Sequence, residues 1–203
     1  MEAYSTKDGK HKWTRKLPGD GNAPPAVGPG CFYVGRQTDT PAAKPNENPT
    51  ESYVLWALDE ATGKPRWQRA LEGESSHNPP FVSNDRVFVV AEKRIHAMSS
   101  ATGDLLWSRD LAGLRTAPAF AGDLMLLWGE SLEEIEERST SGSRSLFALD
   151  LATGITRWTC PLAAIPGARS ESSRGLSRPF FRNGTLLFSD ELHAFRLQQA
   201  TGR

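Results

Sequence analysis

Histidine, cysteine and carboxylate side chains are the first candidates for chemistry, and here they form no recognisable reactive set. The four histidines are scattered through the sequence, and no segment has the ligand spacing of His-Glu-x-x-His or Cys-x-x-Cys. The sequence also lacks the nucleophile elbow that presents a catalytic serine. Its one cluster of carboxylates lies at 133–137. We therefore expect no catalytic residues and no metal site, and predict that the protein is not an enzyme.

The overall composition argues against nucleic acid and membrane surfaces as partners. The 203 residues carry 24 basic and 24 acidic side chains, which favours neither a phosphate backbone nor an anionic lipid surface. No apolar run approaches the roughly 20 residues of a membrane span, and we expect no signal peptide in the N-terminal segment. Cys31 and Cys160 lie far apart, and such cysteines are usually small core residues rather than a disulfide or redox pair. These features do not decide the cellular compartment.

An eleven-residue pattern occurs four times in this sequence. ALDEATGKPRW begins at residue 57, AMSSATGDLLW at 97, ALDLATGITRW at 148, and the looser copy AYSTKDGKHKW at 3. In every copy alanine stands six residues before the glycine, tryptophan four residues after the glycine, and leucine four residues after the tryptophan. A fifth copy, AFRLQQATGR at 194–203, is two residues longer and has no tryptophan. The fixed spacing predicts a repeat architecture.

Each repeat unit contains four short segments with strand character. The unit that begins at Asn78 has NPPFV, RVFVVA, KRIHAM and DLLWSRDL, separated by turn-forming residues. We name these strands A to D, with the repeat's tryptophan on strand D. The glycine that precedes strand D supplies the positive φ that a tight hairpin needs.

Antiparallel four-stranded units of about 40 to 54 residues are typical of β-propeller blades. We predict an all-β propeller with about four blades in this chain. Its parts are a strand D stub in 1–17, repeats in about 22–71, 77–111 and 115–162, and an incomplete blade in 176–203. A β-sandwich is the competing fold, but it does not predict identical spacing in every unit. The repeated glycines and tryptophans are expected to be structural, with each tryptophan buried between blades: Trp13, Gly63, Trp67, Gly103, Trp107, Gly154 and Trp158.

The pattern Ala-x-Asp-x-x-Thr-Gly-x-x-x-Trp resembles the motif of pyrroloquinoline-quinone-type (PQQ-like) β-propeller repeats. The copies at 57–67 and 148–158 match it fully, whereas Ser99 and Ser5 replace the aspartate in the other two. The resemblance covers essentially the whole chain and implies the propeller fold. Proteins of this type include quinone-dependent dehydrogenases, outer-membrane assembly scaffolds, and sensor domains of bacterial serine/threonine kinases, so fold alone does not decide function.

The resemblance implies three functions, and the residues favour one of them. Quinone-dependent members have eight blades, an adjacent Cys-Cys pair and acidic and amide ligands for calcium, which this sequence lacks. We therefore expect no cofactor, and PQQ enters only through the resemblance. The leading hypothesis is a non-catalytic module that binds a protein or a small molecule, including the sensor region of a signalling protein. The alternatives are an envelope protein-assembly scaffold and, more distantly, a PQQ-dependent dehydrogenase.

The ends of the chain leave three ways to complete the propeller. The last blade lacks its tryptophan strand, and the N-terminal strand HKWTRKL lacks strands A and B of its own. The N-terminal strand could close a four-bladed ring within one chain, or pair with a second copy so that a homodimer makes eight blades. Alternatively, the chain is part of a larger, seven- or eight-bladed propeller.

Ligands of propellers bind at the loops that enter the innermost strand. Strand A begins at Pro25, Pro80, Pro118 and Pro179, and the residues just before these prolines vary and are mostly polar. The candidate ligand-binding residues at this rim are His77, Asn78, Arg115, Thr116 and Arg178. Two arginines favour an anionic or carbonyl-bearing molecule, although solvated loops would show the same pattern.

Two insertions between strands B and C, at 36–52 and 129–145, are expected to be irregular loops on one rim. They are either solvated or form a surface for a protein partner. The segment 167–175 is expected to be a loop between strands D and A. His11, His96 and His193 are expected to be packing or surface residues rather than ligands.

Overall fold

The structure is a computed structural model, and it describes most of the chain. The described residues are 1–21, 23–40, 50–72, 76, 78–91, 93–111, 113–114, 116–130, 144–167, 176–189 and 194–198. The chain divides into two compact units, one of residues 1–91 and 96–106 and the other of 92–95 and 107–203.

The first unit contains a hairpin, a complete sheet and most of a second sheet. Strands β1 (Glu2–Tyr4) and β2 (His11–Thr14) form a two-stranded antiparallel sheet. The complete sheet has four antiparallel strands in sequence order: β3 (Ala26–Gly28), β4 (Cys31–Thr40), β5 (Thr50–Asp59) and β6 (Pro65–Glu72). The next sheet, also in sequence order, consists of β7 (Phe81–Ser83), β8 (Arg86–Val90), β9 (Arg94–Ser99) and β10 (Leu105–Asp110). The boundary between the units crosses β9 and β10.

The second unit continues the same pattern. Its four-stranded sheet consists of β11 (Ala119–Ala121), β12 (Leu124–Gly129), β13 (Ser145–Asp150) and β14 (Thr156–Pro161). A short 3₁₀ turn at Leu162–Ala164 follows. A three-stranded sheet then contains β15 (Phe180–Arg182), β16 (Thr185–Ser189) and β17 (Ala194–Gln198). These sheets confirm the predicted all-β chain of propeller blades with strands A to D in order.

The predicted irregular loop at 36–52 is partly wrong. β4 continues to Thr40 and β5 begins at Thr50, with Arg36 opposite Val54 and Thr40 opposite Thr50. The reason is that backbone pairing extends an antiparallel ladder through polar residues as readily as through apolar ones, provided no proline removes a donor. Residues 41–49 and 131–143, the remainder of both insertions, lie outside the described residues, as do 168–175.

The hairpin between strands C and D has the same register in the first and third complete repeats. Alanine lies directly opposite tryptophan in the register, as in Ala57 with Trp67 and Ala148 with Trp158, and a bulge follows each alanine. Both alanines are fully buried. A small residue here leaves room for the indole across the strand pair.

Each unit has its own apolar core. In the first unit, Tyr33, Leu55, Val87 and Met98 are buried together; in the second, Trp128 and Phe188 meet edge to face with ring centroids 4.9 Å apart. The leucine four residues after each repeat tryptophan is buried in all four copies: Leu17, Leu71, Leu111 and Leu162. The repeat spacing therefore predicts core positions as well as turns.

Candidate functional site

The repeat tryptophans cover the hairpin glycines of the following repeat. In the first unit, a Cβ added to Gly63 would lie 2.5 Å from the indole of Trp13, and one added to Gly103 would lie 2.6 Å from Trp67. In the second unit, Gly154 and Trp107 have the same relation, at 2.6 Å. These glycines also have φ of +67°, +76° and +72°, so both the turn and the indole require glycine.

A hydrogen bond fixes each indole at its hairpin. The Nε1–H of Trp13 donates to the carbonyl of Glu60 at 3.1 Å, that of Trp67 to Ser100 at 3.1 Å, and that of Trp107 to Leu151 at 3.0 Å. In all three cases the acceptor stands three residues before the covered glycine. We call this pair, a hairpin glycine and the carbonyl three residues before it, a tryptophan socket.

The prediction that all four repeat tryptophans are buried is met in full only by Trp13. Trp13 is 8% exposed and Trp67 and Trp107 are half-buried, but Trp158 is 37% exposed. No hairpin covers Trp158 among the described residues, and the following repeat copy, around Gly202, lies outside them.

The aspartate and threonine of the motif close the hairpin. Asp59 Oδ1 accepts hydrogen bonds from the Thr62 amide at 2.9 Å and the Thr62 hydroxyl at 2.8 Å, and its Oδ2 accepts from Arg66 Nη2 at 2.7 Å. Asp150 bonds Thr153 and Arg157 in the same way, with 2.6 Å to Arg157 Nη2. The motif polar residues are therefore engaged in turn structure rather than presented to a substrate.

These contacts hold both carboxyls ionised. The hydrogen bonds from Arg66 and then Thr62 lower the pKa of Asp59 to about 2, and those from Arg157 and Thr153 lower the pKa of Asp150 to about 2. The sequence reasoning missed the arginine partner. The sequence does contain a signal for it, because both copies with the aspartate also have an arginine one residue before the tryptophan. In the copy where Ser99 replaces the aspartate, Leu106 stands in the place of the arginine.

Two of the five predicted rim residues lie outside the described residues, namely His77 and Arg115. Asn78 lies in the first unit, half-buried, and its Nδ2 donates to the carbonyl of Val90 at 3.3 Å. This bond ties the segment before β7 to the end of β8. Asn78 thus has a structural role that its polarity alone did not reveal.

Thr116 and Arg178 both lie in the second unit, on the segments that lead into β11 and β15, and these two strands pack beside each other. Arg178 is exposed. The Thr116 hydroxyl is buried and has no hydrogen-bond partner among the described residues. The hydroxyl of Ser177, the residue before Arg178, accepts a hydrogen bond from the Ser189 amide at 2.9 Å and so fixes the segment that leads into β15. The structure brings Thr116 and Arg178 to neighbouring strands and leaves Asn78 in the other unit.

The first strands of the sheets carry exposed apolar side chains that the sequence reasoning did not single out. Val27 on β3 is 64% exposed, and Phe180 on β15 is 50% exposed. Both strands are at the edge of their sheets. In the first unit β3 packs beside β7, just as β15 packs beside β11 in the second. Each unit therefore presents a pair of adjacent first strands with one large apolar side chain open to solvent.

The other candidate residues have ordinary surroundings. His11 is exposed and its Nε2 is 2.8 Å from the Thr14 hydroxyl, whereas His96 is buried in β9; His193 lies outside the described residues. Cys31 and Cys160 are free thiols. Among the described residues no group of three histidine, cysteine or acidic side chains could hold a metal ion. In the same part of the chain, no helix has the length and apolar character needed to cross a membrane.

Comparison with known families identifies the repeats. A family model described as outer membrane protein assembly factor BamB matches residues 50–203. The chain belongs to this family. The resemblance of the repeats to PQQ-like propeller motifs is thereby confirmed, and the family match covers every full repeat after the N-terminal stub except the start of the first.

Solved structures show the same fold. BamB from Moraxella catarrhalis is 22% identical with a TM-score of 0.54, over 76% of this chain and 47% of that one. Quinohemoprotein alcohol dehydrogenase from Comamonas testosteroni is 19% identical with a TM-score of 0.65, over 100% of this chain and 39% of that one. The computationally designed Ika4 protein is 11% identical with a TM-score of 0.51, over 92% and 99% of the two chains. No curated protein matches the sequence.

The chain thus spans less than half the length of the Moraxella catarrhalis and Comamonas testosteroni proteins named above. Cys31 and Cys160 belong to different units, and the carboxylate cluster at 133–137 lies outside the described residues. The absence of a quinone and calcium site stays a prediction.

Proposed function

We propose that this chain is a non-catalytic, protein-binding propeller module that acts as a scaffold in protein assembly. The observation that carries the proposal is an exposed apolar side chain on one first strand in each unit, Val27 on β3 and Phe180 on β15, both at the edge of their sheets. Edge strands offer unpaired backbone groups to an extended segment of another protein, and apolar side chains add affinity. The family description, an outer membrane protein assembly factor, supports a protein as the partner.

The charge of the second unit suggests how a bound segment is oriented there. Arg178 is exposed two residues before Phe180, and a guanidinium binds carboxylates and carbonyl oxygens through paired N–H groups. An extended segment with an acidic residue next to an apolar one would satisfy both side chains.

The size of the apolar contribution follows from the exposed area. A phenylalanine buries about 150–250 Å² when fully enclosed, and half of Phe180 is already buried. Covering the rest stabilises a complex by about 2 kcal/mol at roughly 25 cal/mol per Å², which is more than tenfold in the dissociation constant.

The experiment selects short random peptides on the purified chain and measures the dissociation constant of an enriched peptide. The Val27→Ser and Phe180→Ser double variant should lower the affinity at least tenfold. The matched control is Leu105→Ser with Leu106→Ser, since these side chains are 42% and 46% exposed and lie on β10, the last strand at the opposite edge of its sheet. It should bind normally if the first strands, rather than any edge strand, hold the peptide. Equal loss in both double variants, or in neither, would overturn the proposal.

The non-catalytic part of the proposal has its own test. Dye-linked dehydrogenase activity is measured on the chain after addition of PQQ and calcium. We expect none, and turnover above the rate without protein would favour the quinone enzyme. Attachment to a signalling kinase and binding of a small molecule stay predictions from the sequence.

A further inference from the structure

The turn between β15 and β16 consists of an asparagine followed by a glycine. Arg182 lies opposite Thr185 in the register, so the two residues between them form the turn. Asn183 has φ of +49° and Gly184 has φ of +70°, and positive values at both central positions are those of a type I′ hairpin turn. No other asparagine of the sequence precedes a glycine. This turn is therefore the one Asn-Gly pair of the chain.

An asparagine side chain can react with the backbone of the residue that follows it. The amide nitrogen of that residue attacks the side-chain carbonyl carbon, Cγ, and a five-membered succinimide ring forms as ammonia leaves. A side chain on the following residue hinders this attack, whereas glycine has none and rotates freely. Asparagine is accordingly among the thermolabile residues of proteins.

The structure leaves both reacting groups accessible. Asn183 is exposed, and neither its side chain nor the Gly184 amide has a hydrogen-bond partner among the described residues. A Cβ built on Gly184 would meet no atom within 4 Å. β15 is a three-residue strand at the edge of its sheet. Few contacts therefore restrain rotation of the peptide between Asn183 and Gly184.

The same turn position is open in the complete sheets as well. Asn84 and Asp85 occupy it between β7 and β8, and both are exposed. Gly122 occupies it between β11 and β12, and a Cβ built there would also meet no atom within 4 Å. The exposure of Asn183 is therefore a property of the turn between strands A and B and is not peculiar to the last sheet.

We propose that Asn183 is a site of spontaneous deamidation through the Gly184 amide. The Gly184 nitrogen gives its proton to a base in the solvent and forms a bond with Asn183 Cγ. The bond from Cγ to the side-chain nitrogen breaks, and that nitrogen leaves as ammonia with a proton from water. Water then opens the ring: cleavage at Cγ gives aspartate, and cleavage at the main-chain carbonyl carbon gives isoaspartate. Water is the only co-reactant, and no group is oxidised or reduced.

Both products change the hairpin. Each replaces a neutral amide by a carboxylate beside Arg182, which is exposed. Isoaspartate also brings the Cβ of residue 183 into the main chain, so it lengthens a two-residue turn that sets the register of β15 on β16. The pairing of Phe180 with Leu187 depends on that register. This inference is independent of the peptide-binding function proposed above.

The test incubates the full chain in a mildly alkaline buffer and digests timed samples with pepsin at acid pH, where the reaction is slow. Mass spectrometry measures the conversion of amide to acid, and chromatography separates the aspartate and isoaspartate peptides. We expect Asn183 to react at least tenfold faster than Asn84, the internal control in the same turn position, and to give both products. Gly184→Ala should slow the reaction at Asn183 at least tenfold, and Asp85→Gly should accelerate the reaction at Asn84.

Misfolding of the variant does not imitate the expected result. Alanine at the positive φ of Gly184 strains the turn, and a loosened turn would react faster rather than more slowly. The proposal is wrong if Asn183 reacts no faster than Asn84, or if either substitution leaves the rate at its asparagine unchanged. Formation of aspartate without isoaspartate would equally overturn it, because direct hydrolysis of the side-chain amide gives aspartate alone.

Discussion

Replacing Trp13 by alanine tests whether the socket contacts stabilise the first unit as the geometry requires. The indole is 8% exposed, and a tryptophan buries about 150–250 Å², which at roughly 25 cal/mol per Å² is about 4–6 kcal/mol. Comparable truncations cost about 3–5 kcal/mol. We expect a loss of about 4 kcal/mol in the free energy of unfolding. Trp158→Ala removes a side chain that is 37% exposed, so by the same area argument it should cost about two thirds as much.

A double-mutant cycle of Gly63→Ala and Trp13→Ala tests whether the indole covers the glycine. Gly63→Ala should cost about 1–2 kcal/mol because φ is +67°, and about 1–3 kcal/mol more because its Cβ would lie 2.5 Å from Trp13. In the Trp13→Ala background the second cost disappears, so the two substitutions should be non-additive by about 1–3 kcal/mol.

The assay is urea unfolding followed by far-UV circular dichroism for the wild type, both single variants and the double variant. Trp13→Phe, which keeps an aromatic ring but loses the hydrogen bond to Glu60, provides a milder variant if Trp13→Ala does not fold. Additive free energies within about 0.5 kcal/mol would show that the indole does not cover Gly63 and would refute the reasoning.

Three further outcomes follow from individual contacts. Because the folded pKa of Asp59 is lowered from 3.8 to about 2, its stabilisation is present above pH 3.8 and is lost as the pH falls towards 2; the melting temperature between pH 5 and about 2 should therefore fall more steeply in the wild type than in Asp59→Asn. Gly35→Ala should destabilise by at least about 2 kcal/mol, since its Cβ would lie 1.6 Å from the Tyr53 hydroxyl; chemical denaturation measures the loss, and Tyr53→Ala in the same chain should reduce it. A thiol reagent should modify half-buried Cys160 well before buried Cys31, and mass spectrometry of timed samples would contradict this order if Cys31 reacts first.

The fold could be predicted because the repeat spacing follows from the local geometry of the hairpin between strands C and D. A glycine with positive φ, a small residue opposite the tryptophan and a leucine four residues later are local requirements, and the structure has all of them in the copy that begins at Ala57. The sheet order followed because consecutive short strands with tight turns pair with their neighbours.

The parts that failed depend on residues distant in sequence. Trp158 is 37% exposed although its spacing is the same as that of the other repeat tryptophans. The ligand-binding role of Asn78 stays a prediction, and its hydrogen bond to the Val90 carbonyl is a contact that its polarity did not reveal. Val27 and Phe180 were overlooked because an apolar residue in a short strand is expected to be buried, and the equivalent strands β7 and β11 do bury theirs at least in part.

The most direct test of the proposed binding function is to follow backbone amide chemical shifts while the enriched peptide is added to the isotope-labelled chain. An added strand at the edge of a sheet changes the hydrogen bonding of the edge amides first. The account predicts the largest shifts at the amides around Val27 in β3 and Phe180 in β15. Shifts concentrated at the hairpins of Gly63 and Gly154, with β3 and β15 unchanged, would contradict it.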